Sequence, residues 1–380
     1  DLFVFFLFYE IAVLPMYLLI GIWGSTGEVK PQGIFGWAFG RTGVGTKEYA
    51  AMKLTLYLLL GSAFILVGIL ALYVSSGSRT FSFLDFQTMH FDPALQSWVF
   101  LAFYVGFGIL AAIWPFHTWS PDGHASAPTA VSMLHAGVLM KLGAYGVVRL
   151  GMGLLPEATV DWAWLVGAIA CINIVYGALS AMAQTDLKYV IAYSSVSHMG
   201  VVMLGAATLT TNGLNGSVFQ MFAHGIMTGL FFALVGLVYE KAHSREIFKM
   251  GGFATMMPGI ATAFTIGGLS SLGLPATAGF VAEFLTFLGT WGSSHTWWLF
   301  PGVIGAFLTS IYVLRVTRQI FWGPPSADPH FQHLPDAQRT EWVALGILVA
   351  VLVLFGVAPG IAIGPVDTAT VPLLERLVAR

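Results

Sequence analysis

Long apolar runs alternate with short polar connectors along the whole chain, at 2–24, 49–74, 97–121, 127–150, 162–183, 187–208, 216–240, 253–291, 297–321 and 341–364. A helix that crosses a bilayer needs about 20 mostly apolar residues, and each run supplies roughly that length or more. Only helices or closed barrels satisfy their backbone inside lipid, and the runs lack the strict alternation of a barrel strand. The pattern therefore predicts an all-α, polytopic membrane protein with about ten transmembrane helices in view. Segment 323–340 (GPPSADPHFQHLPDAQRT) is polar and proline-rich and reads as a surface loop.

Two of the runs contain a break. One reads Gly108-Ile-Leu-Ala-Ala-Ile-Trp-Pro115 and the other Gly268-Leu-Ser-Ser-Leu-Gly-Leu-Pro275, with glycine and proline at the same spacing. Proline removes a backbone donor and clashes with the preceding turn, so each helix is expected to open there. Opened backbone at membrane depth is tolerated where it is buried in protein or lines a wet cavity. The two breaks fall in runs that cross the membrane in opposite directions, a pointer to inverted repeats of the transporter kind. The expected division is a first repeat over 1–150, a second over 151–322, and a loop with a C-terminal transmembrane helix over 323–380.

Composition narrows the class further. The chain is 57% hydrophobic and only 9% charged, where soluble domains carry about 25% charged residues, so most of it cannot face water. A net charge of −2 gives no reason to expect a nucleic-acid partner. The one cysteine, Cys171, lies in an apolar run, which excludes an internal disulfide or a multi-cysteine metal site. No phosphate-cradling glycine loop or cysteine–histidine metal spacing occurs, so neither a metal nor a cofactor site is expected in this chain.

The chain opens at Asp1 on apolar residues without a basic leader, and its start is expected to be an internal point of a longer protein. Basic residues set the orientation. Lys30, Arg41, Lys47, Lys188, Lys241, Arg245, Lys249, Arg315, Arg318 and Arg339 fall on one side, against Arg79, Arg149, Arg376 and Arg380 on the other. The heavier side is expected in the cytoplasm, with the C-terminus on the opposite face. The connector from His117 to Pro128 is then a cytoplasmic loop, whose His117, Asp122 and His124 would shape an entrance.

Three charges stand where lipid-depth helices rarely keep them: Glu10, Lys141 and Glu283. A charge at the bilayer centre costs roughly 2.5–3.5 kcal/mol by insertion scales, so each asks for a reason. Sites that exchange protons supply one, and static ion pairs between helices are the alternative. Lys141 sits in the middle of its helix, and Glu283 begins the helix that resumes after Pro275, where half-helix dipoles point into the interior. His224 follows Gln220 by four residues on one helix face, and His198 ends a polar patch, Ser194-Ser195-Val196-Ser197-His198. The expected relay is Glu10, Lys141, Glu283 and His224, with His135, His198, Lys53 and Lys188 as secondary candidates. Lys53 is close enough to the end of its span to snorkel to the interface, and Lys188, in Asp186-Leu187-Lys188, is expected to be an interfacial residue pairing locally.

Several long motifs then carry a resemblance. Pro115-Phe-His-Thr-Trp-Ser-Pro-Asp-Gly-His-Ala-Ser-Ala-Pro-Thr-Ala-Val-Ser132, running on to Lys141 and Tyr145, resembles the M-type (mitochondrial chain-4-type) antiporter-like subunit of respiratory complex I. So do Ala183-Gln-Thr-Asp-Leu-Lys188, Ala192-Tyr-Ser-Ser-Val-Ser-His-Met-Gly200, Gly273-Leu-Pro with Gly279-Phe-Val-Ala-Glu283-Phe, and Phe8-Tyr9-Glu10 with Leu14-Pro15-Met16-Tyr17. The resemblance covers nearly the whole chain. It implies an antiporter-like fold of inverted five-helix repeats in which this chain starts at the fifth helix, the first four being absent. It implies that Glu10 is the glutamate of that helix, Lys141 the central lysine of the eighth, and Glu283 the exit-side glutamate of the second broken helix. NADH, flavin, iron–sulfur clusters and quinone are implied in partner subunits, and neighbouring antiporter-like subunits as partners.

One position departs from the family: Leu110 stands where a lysine usually pairs with the helix-five glutamate. The expectation is that His135 or Lys53 takes over part of that task, and a poorly pumping spacer is the alternative. Proton translocation coupled to quinone reduction in a bacterial plasma membrane is the leading expectation. A Mrp-type cation/proton antiporter subunit, a membrane-bound hydrogenase subunit and a non-pumping scaffold compete with it.

Overall fold

The structure is a computed structural model that describes residues 1–26 and 45–378. Lys30, Arg41 and Arg380, used above for sidedness, lie outside the described residues. The membrane helices follow one another as α1 (Leu2–Trp23), α2 (Lys47–Ser76), α3 (Pro93–Leu110), α4 (Trp119–Ser126), α5 (Thr129–Met152), α6 (Pro156–Ala183), α7 (Leu187–Ala207) and α8 (Thr211–Ala242). Then come α9 (Pro258–Ser271), α10 (Ala278–Trp291), α11 (Thr296–Trp322), α12 (Arg339–Val357) and α13 (Gly360–Val378). Among the described residues nine of these are long and apolar enough to span a bilayer, and there is no strand. The all-α polytopic expectation holds.

Both breaks fall where glycine and proline placed them. α3 stops at Leu110 and the chain resumes its helix in α4, while α9 stops at Ser271 and resumes at Ala278. The two stops are built alike. The Ile113 amide donates to the Gly108 carbonyl at 2.8 Å, with Ala112 left-handed (φ 56) between them. The Leu274 amide donates to the Leu269 carbonyl at 2.9 Å around Gly273 (φ 76). Each is a Schellman-type stop that ties off carbonyls a helix end would otherwise orphan. At the first break, the Trp114 amide is taken by Asn173 Oδ1 of α6 at 2.8 Å, and Asn173 Nδ2 donates to the Val196 carbonyl of α7.

The connector expected as a loop from His117 to Pro128 is a correction. Its core is helix α4, and Trp119, Ser120, His124 and Ser126 are buried. Proline and glycine inside it resemble turn punctuation, but here they shape the second half of a broken helix. Segment 323–338 is a loop with one 3₁₀ turn, as its composition predicts. Beyond α12 the chain forms α13, an amphipathic helix absent from the sequence reading, tied to α8 where Thr370 donates to Asn215 at 2.5 Å and Asn215 donates to Asp367.

The apolar side chains form two large cores. One is built mostly from α1 to α7 and the other mostly from α7 to α12, meeting along the almost wholly buried α7. The outer faces of α1, α12 and α11 stay apolar and exposed, as lipid-facing or partner-facing surfaces do.

Candidate functional site

Lys141 sits between two π-helical segments of α5, His135–Leu139 and Val147–Met152. A π turn carries one extra residue, which rotates the next stretch of helix and takes a carbonyl off the regular ladder. Within the first π segment the Lys141 ammonium donates to the Ala136 carbonyl. Two close approaches fix the lysine. A Cβ on Gly225 of α8 would meet the Gly137 carbonyl at 2.7 Å, and one on Gly143 would meet the Ala111 amide at 2.5 Å. α5 is thereby pressed onto α8 on one side and onto the first break on the other. The Cε of Lys141 lies 4.0 Å from where a Gly225 Cβ would be, so its stem packs against α8 at the residue that follows His224 in the chain.

From His224 the titratable groups continue into α7 and α10. The His224 and His198 rings are 5.1 Å apart between centroids, bridging α8 and α7. His198 Nδ1 is 3.2 Å from Glu283 Oε1 on α10 and 3.3 Å from Gln220 Nε2, and His198 Nε2 is 3.2 Å from Ser271 Oγ. Glu283 is buried and points back into the second break, where a Cβ on Gly273 would sit 3.2 Å from its Oε2. Gln220 and His224, placed on one face by their four-residue spacing, both contribute.

On the other side of Lys141 the row runs through two further histidines. His135 opens the π turn, stacked 5.1 Å from the Trp119 ring, and its centroid is 4.5 Å from that of His124. His124 also packs against Met140, with Nε2 3.5 Å from Sδ. His124 is the residue that sequence reasoning assigned to an exposed entrance; the structure buries it in the row. A polar residue of a half-helix beside a tryptophan was the available signal. Among the described residues, both ring nitrogens of His135 and His224 and the Nδ1 of His124 have no protein partner. Leaving such a group unsatisfied costs about 1–3 kcal/mol, and buried water is the usual partner where protein supplies none.

Glu10 and Lys53 stand apart from this row. Glu10 accepts from the Ser62 hydroxyl of α2 and is half-buried. Beside Ser62, Gly61 packs closely on Gly106 and Ile109 of α3, and Leu110 follows as a fully buried core residue. Among the described residues no cation pairs with Glu10. Lys53 does not snorkel: its ammonium pairs with Asp122 of α4 at 2.7 Å, while the Tyr189 hydroxyl donates to the other Asp122 oxygen at 3.0 Å.

Lys188 is a second correction. Asp186 caps α7 through the Lys188 and Tyr189 amides, but the Lys188 ammonium donates to the Ala127 carbonyl at 2.7 Å. Arg245 Nη1 donates to the Ala125 carbonyl at 2.6 Å and its Nε lies 3.2 Å from Asp186. Two buried cations therefore cap the C-terminal carbonyls of α4, where the helix dipole favours positive charge. Burial raises the Asp186 carboxyl above its ordinary range, and the neighbouring Arg245 pulls it back. Among the described residues no group of three His, Cys, Asp or Glu side chains could hold a metal ion.

A sequence family described as the transmembrane unit of NADH:quinone oxidoreductase and Mrp antiporters matches residues 40–309. This chain belongs to that family. The match to the antiporter family takes in Lys53, Lys141, His198, His224 and Glu283 and leaves Glu10 outside it. A family relative, NAD(P)H-quinone oxidoreductase chain 4 of Synechococcus sp. (strain JA-3-3Ab), is 39% identical over 99% of this chain and 69% of its own length. The NADH-quinone oxidoreductase subunit M of Rickettsia bellii is 37% identical over 94% of this chain and 68% of its own. Among solved structures, a chain of respiratory complex I from Thermus thermophilus with bound NADH superposes with a TM-score of 0.87 at 30% identity, over 98% of this chain and 75% of that one. The chain is an M-type, antiporter-like, integral membrane subunit of this family.

Proposed function

We propose that this chain is the proton-translocating M-type subunit of a complex I-type NADH:quinone oxidoreductase, moving protons through its interior while quinone is reduced elsewhere. The relatives carry the names of oxidoreductase subunits, which supports assigning the redox chemistry to the assembly around this chain. NADH, flavin, iron–sulfur clusters and quinone accordingly belong to partner subunits, and other antiporter-like membrane subunits adjoin this one. The membrane is a bacterial plasma membrane, with the basic end in the cytoplasm and the C-terminus on the far side. The repeats are 1–150 and 151–322, with 323–380 appended.

The observation that carries the reading is the series of buried titratable groups in which His124 meets His135, His224 meets His198 and His198 meets Glu283, with Lys141 set between the two sets against Ala136 and Gly225. Each group can bind or release a proton, and neighbouring groups come from five different helices. A static brace needs only paired charges, whereas Lys141 has a carbonyl as its partner and not a carboxylate. A proton on Lys141 passes by way of bound water to His224, then His198, while Glu283 accepts at the end of the row. Lys53 with Asp122 and Tyr189 forms the approach from the basic end, which offsets the lysine missing at Leu110. Glu10 with Ser62 is a side station on the first repeat.

The test is Lys141→Met in the assembled complex. Proton movement driven by NADH oxidation should fall at least tenfold while the subunit still copurifies with its membrane and peripheral partners. Unchanged proton movement, or copurification with small membrane subunits alone, would refute the assignment.

A further inference from the structure

The His198–Glu283 pair has a second polar connection that the row from Lys141 does not use. Tyr312 lies on α11 and is fully buried. Its hydroxyl donates to Ser194 Oγ at 2.8 Å. Ser194 precedes His198 by one turn of α7, so both face the same neighbours. Ser271, the group 3.2 Å from His198 Nε2, and Thr309 also lie near enough to the Tyr312 hydroxyl to act on it electrostatically. Ser194, Tyr312 and Ser271 thus form a run of hydroxyls that ends on His198.

The run opens into a small cavity lined by Ser194 and Tyr312 with Val190, Ile191, Phe231 and Val316. Val190 is in the first turn of α7 and Val316 near the end of α11. Both ends lie at the basic end of the bundle, where Asp186 meets Arg245 and Gln319 Nε2 reaches the Met250 carbonyl. Thr317 beside Val316 is buried, and its hydroxyl has no protein partner among the described residues. The cavity therefore lies between the hydroxyl run and the basic end.

We infer that Tyr312 carries protons along a branch from the basic end into the His198–Glu283 pair, so that this pair has two inputs, one through Lys141 and one through Ser194, Tyr312 and Ser271. This rests on the proton-translocating reading of the chain. For inward transfer the Tyr312–Ser194 bond reverses so that Ser194 donates; each hydroxyl then takes one proton and gives up its own, so no charge remains on the run. Ser271 delivers to His198 Nε2, the Nδ1 proton of His198 passes to Glu283, and the negative carboxylate is neutralised. For that hand-over the Gln220 carboxamide is turned over, so that Oε1 in place of Nε2–H faces His198 Nδ1–H and shares it with Glu283 Oε1 at 3.2 Å.

The test is the number of protons moved per electron in sealed vesicles containing the complex, a ratio that lower turnover alone does not move. Tyr312→Phe and Ser194→Ala should each lower it to a similar extent, and the double variant no further than either. A ratio equal to the parent in Tyr312→Phe, with Lys141→Met lowering it, overturns the branch and leaves the main row standing. A ratio unaffected in Lys141→Met overturns both. Should Tyr312→Phe fail to assemble, Ser194→Cys carries the test. A small membrane-impermeant methanethiosulfonate added at the basic end should modify it and lower the ratio. A thiol inert to that reagent overturns the branch.

Discussion

Asn173 illustrates how single side chains make an opened helix tolerable at membrane depth. Its carboxamide takes the Trp114 amide at the first break and donates to Val196 on the next helix. Asn173→Leu should leave the Trp114 amide without its partner and cost about 1–3 kcal/mol. A fall of several degrees in thermal unfolding of the purified complex checks it, with Asn173→Asp, which keeps the acceptor, falling less. Equal behaviour of the two variants would show that the amide finds another partner. At this scale the sequence was partly legible. Lys141, Glu283 and His224 stood out because charge or imidazole inside an apolar run has no cheap explanation. His124 did not, because Ser-Pro-Asp-Gly-His carries the same composition in a surface turn as in a buried half-helix. The partner of Lys188 was also illegible, since its carbonyl acceptor belongs to a helix 61 positions away.

At the scale of elements, the spans and both breaks could be read from apolar length and from glycine–proline spacing, which act locally. The π segments around Lys141 could not, because an extra residue per turn leaves no mark in hydrophobic periodicity. α13 was missed because its amphipathic, twice proline-interrupted sequence resembles a polar tail more than a helix. The contact that sets Lys141 against α8 can be probed directly. Gly225→Val places a branched side chain where a Cβ alone would lie 2.7 Å from the Gly137 carbonyl, so α5 and α8 must separate. Yield of assembled complex should collapse. Gly229, one turn along the same helix, has open space around its Cβ, and Gly229→Ala should assemble normally and gain up to about 1 kcal/mol of helix propensity. If Gly225→Val assembles as well as Gly229→Ala, the close crossing does not position the lysine.

For the whole molecule, the buried titratable groups are drawn from five helices, and the proposed function makes them an interior path rather than a set of braces. Of the basic side chains that the sequence assigned to one face, Lys47 reaches the Ile22 carbonyl, Lys241 meets Glu341 and Arg245 meets Asp186. Among the described residues Glu10 pairs with Ser62 and with no cation, so on the proposed function the weight of the path falls on the half that holds Lys141, His198 and Glu283. Glu10→Gln should therefore lower proton movement less than any change at Glu283, a ranking that parallel vesicle measurements would read. The most direct measurement is the proton-to-electron ratio of the assembled complex in sealed vesicles, parent against Glu283→Gln. The account predicts that the ratio drops in the variant, because the row loses the carboxylate that accepts its protons. An unchanged ratio would contradict it and leave the buried charges as structural ties.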